Sequence, residues 1–307
     1  MRIGVSLGRD EHGHPADARR AEQLGFDLVS AGEHLFFHGP TPNAFVSLAA
    51  AAGATERIRL LSSLTIAPIY PAALLAKLVA GLDLVSGGRF DLGIGVGGEY
   101  PPEFEAAGVD PATRGARTDE ALELMRALFT GEPVDFDGRF TRVPGLALQS
   151  PPVQRPGPPV WVGGRKPAAM RRAARFGDVW LPYMYTPEKL ASSLAEIREE
   201  AARLGRPADA VSGAVFIWTA VDTDAGRARE QVVSFVSEVY QQDFGPLADR
   251  YLLHGSPETV IARLRDFFDA GADTVVVCPA TADDAQRERM TELLASEVRP
   301  EIDGWRR

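Results

Sequence analysis

The chain of 307 residues is 45% hydrophobic and 24% charged, carries a formal net charge of -9 and has one cysteine. Those values describe an ordinary folded protein of a length that suits one α/β barrel, and the negative charge argues against nucleic acid or an anionic membrane as main partner. No apolar run nears the roughly 20 residues of a membrane span, and Cys278 has no second cysteine for a disulfide or a cysteine metal site.

The start MRIGVSLG enters a strand over 2–7 with no basic and apolar leader pattern, so cytoplasm is the expected compartment. A helix follows over 15–24, then a strand over 26–31 that leads to Glu33-His34. An alanine-rich helix over 43–54 precedes the organising stretch, 57–98. Within it, Ile58 to Leu64 reads as a strand buried on both faces. Pro71 suits the first turn of the next helix, which sets Leu74, Leu75, Leu78, Leu82 and Val85 on one side. Ser86-Gly87-Gly88 ends it. The following strand alternates, with Phe90, Leu92, Ile94 and Val96 on one face and Asp91, Gly93, Gly95 and Gly97 on the other. The first face packs under helices. The second is nearly bare, so either a flat ligand approaches the backbone there or the glycines merely relieve crowding in a barrel.

A helix carrying Leu122, Met125 and Phe129 comes next. Residues 131–159 leave the barrel as a hairpin over 134–140, turning at Asp137-Gly138, and a proline-rich link, PPVQRPGPP. The barrel resumes with a strand over 160–162, a helix through Ala174, a strand over 178–181, a helix over 187–204 and a strand over 213–221. A helical insertion is expected over 225–251. Ser256 caps the next helix, 274–278 form the eighth strand and a last helix spans 282–294. Strand-helix alternation of this kind predicts a (β/α)8 TIM barrel, one domain over 1–307.

Three strand ends converge on the mouth of such a barrel. Gly163-Gly164-Arg165-Lys166 open a helix, where free amides and two cations suit a phosphate. His34 is a candidate to protonate or hydrogen-bond a substrate or cofactor ring. Glu99, beside Tyr100 after the glycine run, is a second acid or base. Each has a plainer reading: a glycine turn with solvated bases, a hydrogen-bonded histidine, a solvated carboxylate. His12, His14 and His38 share no metal spacing with His34, and neither a G-x-S-x-G elbow nor a Walker loop is present.

Taken together, GFDLVSAGEH (25–34), ATERIRL (54–60), LDLVSGGRFDLGIGVGG (82–98), PPVWVGGRKPAAMRRAARFGDVW (158–180) and GSPETVIARLRDFFDAGAD (255–273) resemble the bacterial luciferase-like superfamily of flavin- and deazaflavin-dependent oxidoreductases. The resemblance implies a barrel, often a homodimer, with the cofactor ring in its mouth. It implies a non-proline cis peptide behind the ring, by position at Ser63-Leu64. It also implies ring contacts from Glu33 and His34, a glycine loop at Gly95, Gly97 and Gly98, and a phosphate site at Gly163, Gly164, Arg165 and Lys166. Where the glucose-6-phosphate dehydrogenase branch has a glutamate, this chain has Gly98 with Glu99 one residue on, which argues against a sugar phosphate. Val96 replaces an arginine of luciferase, which argues against light emission.

The expected activity is coenzyme F420-dependent hydride transfer to or from a small organic substrate, with His34 the first candidate for the proton and Glu99 the second. The runner-up is a monooxygenase using reduced FMN and oxygen. A cofactor-free phosphate-ligand enzyme or a binding protein is the alternative from another class. The loops 36–42, 99–111 and 241–254 are expected to shape the pocket, and Phe36, Phe37, Tyr100, Tyr183, Tyr185 and Trp218 point to an apolar or aromatic substrate.

Overall fold

The computed structural model describes residues 1–8 and 10–305. Its first half contains β1 (Arg2–Ser6), α1 (His14–Leu24), β2 (Leu28–Ala31), α2 (Ala44–Ala54), β3 (Arg59–Ser62), the short β4 (Thr65–Ile66), α3 (Ala72–Val85) and β5 (Phe90–Gly95). There follow α4 (Pro102–Ala106), α5 (Arg114–Leu128), β6 (Val134–Asp137), β7 (Arg142–Leu146), β8 (Val160–Gly163), α6 (Pro167–Phe176), β9 (Val179–Leu181) and α7 (Pro187–Arg203). The chain continues through β10 (Ser212–Val221), α8 (Ala225–Tyr240), α9 (Ala248–Tyr251), β11 (Leu253–Gly255), α10 (Pro257–Asp269), β12 (Ala272–Pro279), α11 (Asp284–Leu293) and α12 (Arg299–Asp303).

Strands β1, β2, β3, β5, β8, β9, β10 and β12 pair in parallel around a closed circuit, in which β9 meets β10 and β12 meets β1. This is a (β/α)8 TIM barrel. The period of two along each strand divides its side chains. Leu28, Leu61, Trp161, Val179, Leu181, Ala214 and Val276 form the inner cluster, while Val29, Leu60, Leu92, Val162 and Val275 join the core under the helices. Parallel strands buried on both faces need continuous apolar runs, and TVVVC in β12 is such a run. Among the described residues, no helix is long and apolar enough to cross a membrane.

Three local expectations change. On α3 the buried residues are Ala72, Leu75, Ala76, Val79, Ala80, Leu82 and Asp83, whereas Leu74 is 49% and Val85 68% exposed. The inward face is lined by small residues and by Asp83, whose carboxylate accepts from the Gln154 N–H and side-chain amide at 3.0 and 2.7 Å. A polar residue satisfied inside the core hid the true stripe. The expected helical insertion over 225–251 is broken: α8 stops at Gln241, with φ of 51°, and α9 is a separate short helix. Strand β11 then pairs with the end of β10, a segment that shows no strand signal in LHG. The hairpin of β6 and β7 stands apart from the barrel as its own two-stranded sheet.

Candidate active site

The mouth is shaped first by the end of β3. The Ser63-Leu64 peptide is cis, at the position the resemblance implies. Beyond it the Leu64 side chain, half-buried, crosses the ends of β5 and β8. A Cβ at Gly163 would overlap Leu64 Cδ1, one at Gly93 would overlap the Ser62 carbonyl, and one at Gly95 would sit 3.4 Å from Leu64. The bare face of β5 is therefore covered by the chain itself. Gly97 faces Ile66 and Phe104 rather than the mouth. The flat apolar surface that the glycines were expected to offer is provided one layer higher, by Leu64.

Glu33 is only 6% exposed, and its carboxylate ties loops together. It accepts from the N–H of Ile66 at 2.9 Å, the Tyr70 hydroxyl at 2.9 Å, the N–H of Ala44 at 3.3 Å and the Asn43 amide at 3.5 Å. Burial pushes its carboxyl above the ordinary range against those bonds. Its oxygens are occupied by the protein, so Glu33 braces the β3–β4 bulge. The expected direct contact with a cofactor finds no geometric support at this residue.

His34, its neighbour, does reach the mouth. Nδ1 lies 3.2 Å from Oε2 of Glu103, and Nε2 lies 3.9 Å from Oε2 of Glu99. Phe37 stacks on the imidazole with centroids 4.3 Å apart and planes 18° apart. Glu99 also accepts the Tyr183 hydroxyl, and the Arg165 guanidinium lies 4.9 Å above the Tyr183 ring. Burial raises the Glu99 carboxyl above its usual range, a rise that the charges of His34 and Arg165 oppose. His34, Glu99 and Arg165, from three different strand ends, thus form one cluster, as the sequence predicts.

Aromatic rings flank it. Phe37 meets Tyr240 and Tyr100 edge-on at 6.4 and 6.2 Å, and the Trp218 indole N–H points to the Tyr240 hydroxyl at 3.4 Å. Burial, with the Glu99 charge adding, pushes the Tyr240 hydroxyl well above its ordinary value. Tyr185 does not belong here. It is 8% exposed, bonded to Ser193 and packed edge-on against Trp180, so it is core. Glu103 and Tyr240 escape sequence reading. Pro101-Pro102 ahead of Glu103 announces the helix that buries it, but nothing in EYPPEFEAAG separates it from Glu105.

At the fourth corner, Gly164 adopts φ of 107°, where any Cβ would also press on Ala169. Helix α6 then starts at Pro167 with Lys166 as an N-cap that makes no side-chain bond. Its first turn faces solvent beside Arg165 and Lys166, both exposed. Pro167 has no N–H and the amides of Ala169 and Met170 bond to the Lys166 carbonyl, so the two cations are the main attraction for an anion at this corner. Leu64 over the bare strand ends, the His34 imidazole and the cations Arg165 and Lys166 are the groups that would hold a flavin-type cofactor carrying phosphate.

This chain belongs to the luciferase-like monooxygenase family, whose model matches residues 10–274, and it is an oxidoreductase by that membership. It is 28% identical over 315 residues to an F420-dependent glucose-6-phosphate dehydrogenase of Nocardia farcinica, covering 92% of this chain and 91% of the relative. The crystal structure of monooxygenase RslO1 from Streptomyces bottropensis superposes with a TM-score of 0.87 at 25% identity, covering 98% of this chain and all of the other. The fold is shared with an F420-dependent secondary alcohol dehydrogenase bound to an F420-acetone adduct, with a TM-score of 0.86 at 22% identity over 98% of each chain.

Proposed function

We propose that this chain is a coenzyme F420-dependent oxidoreductase that moves hydride to or from a small organic substrate. The observation that carries the reading is His34, an imidazole fixed at the barrel mouth between two carboxylates. Hydride transfer to carbon or from it is balanced by a proton, and this group handles that proton. The full-length relation to an F420-dependent dehydrogenase supports the choice of cofactor. When bound, the deazaflavin supplies the carbon that gives or takes the hydride.

The chain's own residues do the rest. Arg165 and Lys166 hold the phosphate, with Gly163 and Gly164 allowing close approach. Leu64 backs the ring, and Gly95, Gly97 and Gly98 set the loop beside it. His34 exchanges the proton at Nε2, and Glu99 is the second group able to do so. Phe37, Tyr100, Trp218 and Tyr240 exclude water and favour an apolar or aromatic substrate. Gly98, where the glucose-6-phosphate branch has glutamate, disfavours the sugar phosphate of the Nocardia relative.

The exposed apolar residues Val46 on α2 and Leu74, Leu84 and Val85 on α3 support a homodimer through those helices. Valine 85 changed to aspartate would then give a monomer in sedimentation. Buried Cys278, with no second cysteine in the chain for a disulfide, is consistent with a reducing cytoplasm.

A second reading, an FMN-dependent monooxygenase, is favoured by the likeness to RslO1. Turnover with a panel of alcohols, imines and activated alkenes, under argon and under air, separates the two. Deazaflavin-linked turnover that is indifferent to air is expected. Product formation that needs FMN and consumes oxygen would overturn the proposal.

A further inference from the structure

We propose that Glu103 is the positioning residue of His34: its buried carboxylate holds the imidazole in the Nδ1–H tautomer and leaves Nε2 bare toward the mouth. The catalytic meaning of this rests on the reading of His34 given above, but the tautomer itself does not.

Glu103 stands in α4, after two prolines, with its side chain fully buried at 0% exposure. Among the described residues, all of its side-chain hydrogen bonding runs through one oxygen. Oε2 faces His34 Nδ1 at 3.2 Å and the Leu35 N–H at 3.3 Å, while the buried Oε1 has no partner among them. The Leu35 amide only donates, and an ionised carboxylate only accepts. The backbone therefore aims Oε2, and the imidazole nitrogen that meets it must carry the hydrogen. A histidine without such a partner carries its proton chiefly on Nε2, the reverse arrangement.

Burying a carboxylate behind one imidazole and one amide is costly, and packing alone gives no reason for it. Fixing the tautomer does. Three contacts then set the ring: Glu103 at Nδ1, Phe37 stacked on its face, and the Leu35 backbone through the shared oxygen. The free Nε2 looks toward Glu99 across 3.9 Å. The charged and titratable groups around this pair are Glu99 after β5, Arg165 and Tyr183 beyond Glu99, and Glu33 beyond Glu103. None of them contacts Nδ1.

The test is nitrogen-15 spectroscopy of the full chain with labelled histidine, at a pH where imidazoles are neutral. The His34 signals are assigned by their loss in His34→Asn. The wild type is expected to show protonated Nδ1 and bare Nε2. Glu103→Ala, with its fold checked by circular dichroism, is expected to move the proton to Nε2. Glu103→Gln keeps an oxygen for the Leu35 amide and is expected to restore Nδ1–H. An Nε2–H tautomer in the wild type, or the same tautomer in wild type and Glu103→Ala, overturns the assignment. Turnover on coenzyme F420 is read separately. Glu103→Ala should lower kcat at least about tenfold with little change in KM. The expected tautomers with no F420 turnover by the wild type would sink the functional reading and leave the positioning role standing.

Discussion

Ser62 and Gly93 exchange two hydrogen bonds: the Gly93 N–H donates to Ser62 Oγ, and that hydroxyl donates back to the Gly93 carbonyl, both at 2.9 Å. The side chain of one strand thus does the work of a backbone ladder where β3 turns away from β5. The exchange holds the bulge from which Leu64 covers the neighbouring glycines.

Gly93 and Gly163 should therefore respond differently to the same methyl group. At Gly93 the added Cβ runs into the Ser62 carbonyl, which is backbone. Gly93→Ala is expected to cost about 1–3 kcal/mol in urea unfolding, as overpacking does. At Gly163 the obstacle is the end of the Leu64 side chain, which can rotate. Gly163→Ala should keep stability within about 1 kcal/mol but drive Leu64 into the mouth and weaken cofactor binding about tenfold, or about 1.4 kcal/mol. Equal stability losses in the two variants would contradict this picture.

Arg59 grips Asp91 with two bonds, Nε to Oδ2 at 2.9 Å and Nη2 to Oδ1 at 2.6 Å. Asp91 is buried, which raises its carboxyl, while Arg59 pulls it down. Arg59→Ala leaves that charge uncompensated and is expected to cost about 3–5 kcal/mol at pH 7. The loss should shrink toward acid pH, where Asp91 takes up a proton in the variant. A loss independent of pH would show that packing by the arginine stem, and not the ion pair, is what matters.

Glu99 has a carboxyl raised by burial. Its folded form holds a proton more tightly than its unfolded form, so its contribution to stability is lost as pH rises from the unfolded value through the folded one. Glu99→Gln removes that loss and still accepts the Tyr183 hydroxyl. It should be more stable than wild type at pH 7, by under about 1 kcal/mol because the half-exposed group is screened. The two should converge as pH falls below about 4. A gap that widens toward acid pH would reverse the assignment.

Arg165 lies over the Tyr183 ring and is the cation proposed to hold the cofactor's phosphate. Arg165→Ala should raise the cofactor Kd about tenfold, about 1.4 kcal/mol, and flatten its dependence on salt. Lys166→Ala should do less, because a lysine lacks the planar fork with which arginine grips a phosphate. Isothermal titration at two salt concentrations reads both effects.

The barrel was legible because each parallel strand, buried on both faces, writes its own short apolar run. β12 is an example, and its neighbours follow at regular spacing. β11 was not legible, since its three residues pair only with the tip of β10 and need no apolar pattern. The place of His34, Glu99 and Arg165 after strands is enough to bring them to one mouth. Glu103 was missed because its role depends on a contact 69 residues away in sequence. The bracing by Glu33 is hidden for a related reason: its four partners come from Asn43, Ala44, Ile66 and Tyr70, and only the folded chain gathers them. The glycines of β5 marked a close approach correctly, but what approaches is Ser62 and Leu64.

The most direct test of the account is a pair of equilibrium titrations of the purified protein, one with coenzyme F420 and one with FMN, followed by fluorescence. The account predicts tight binding of the deazaflavin, weakened in Arg165→Ala and in Gly163→Ala, with FMN binding much more weakly. Tight binding of FMN alone, or of neither, would contradict it.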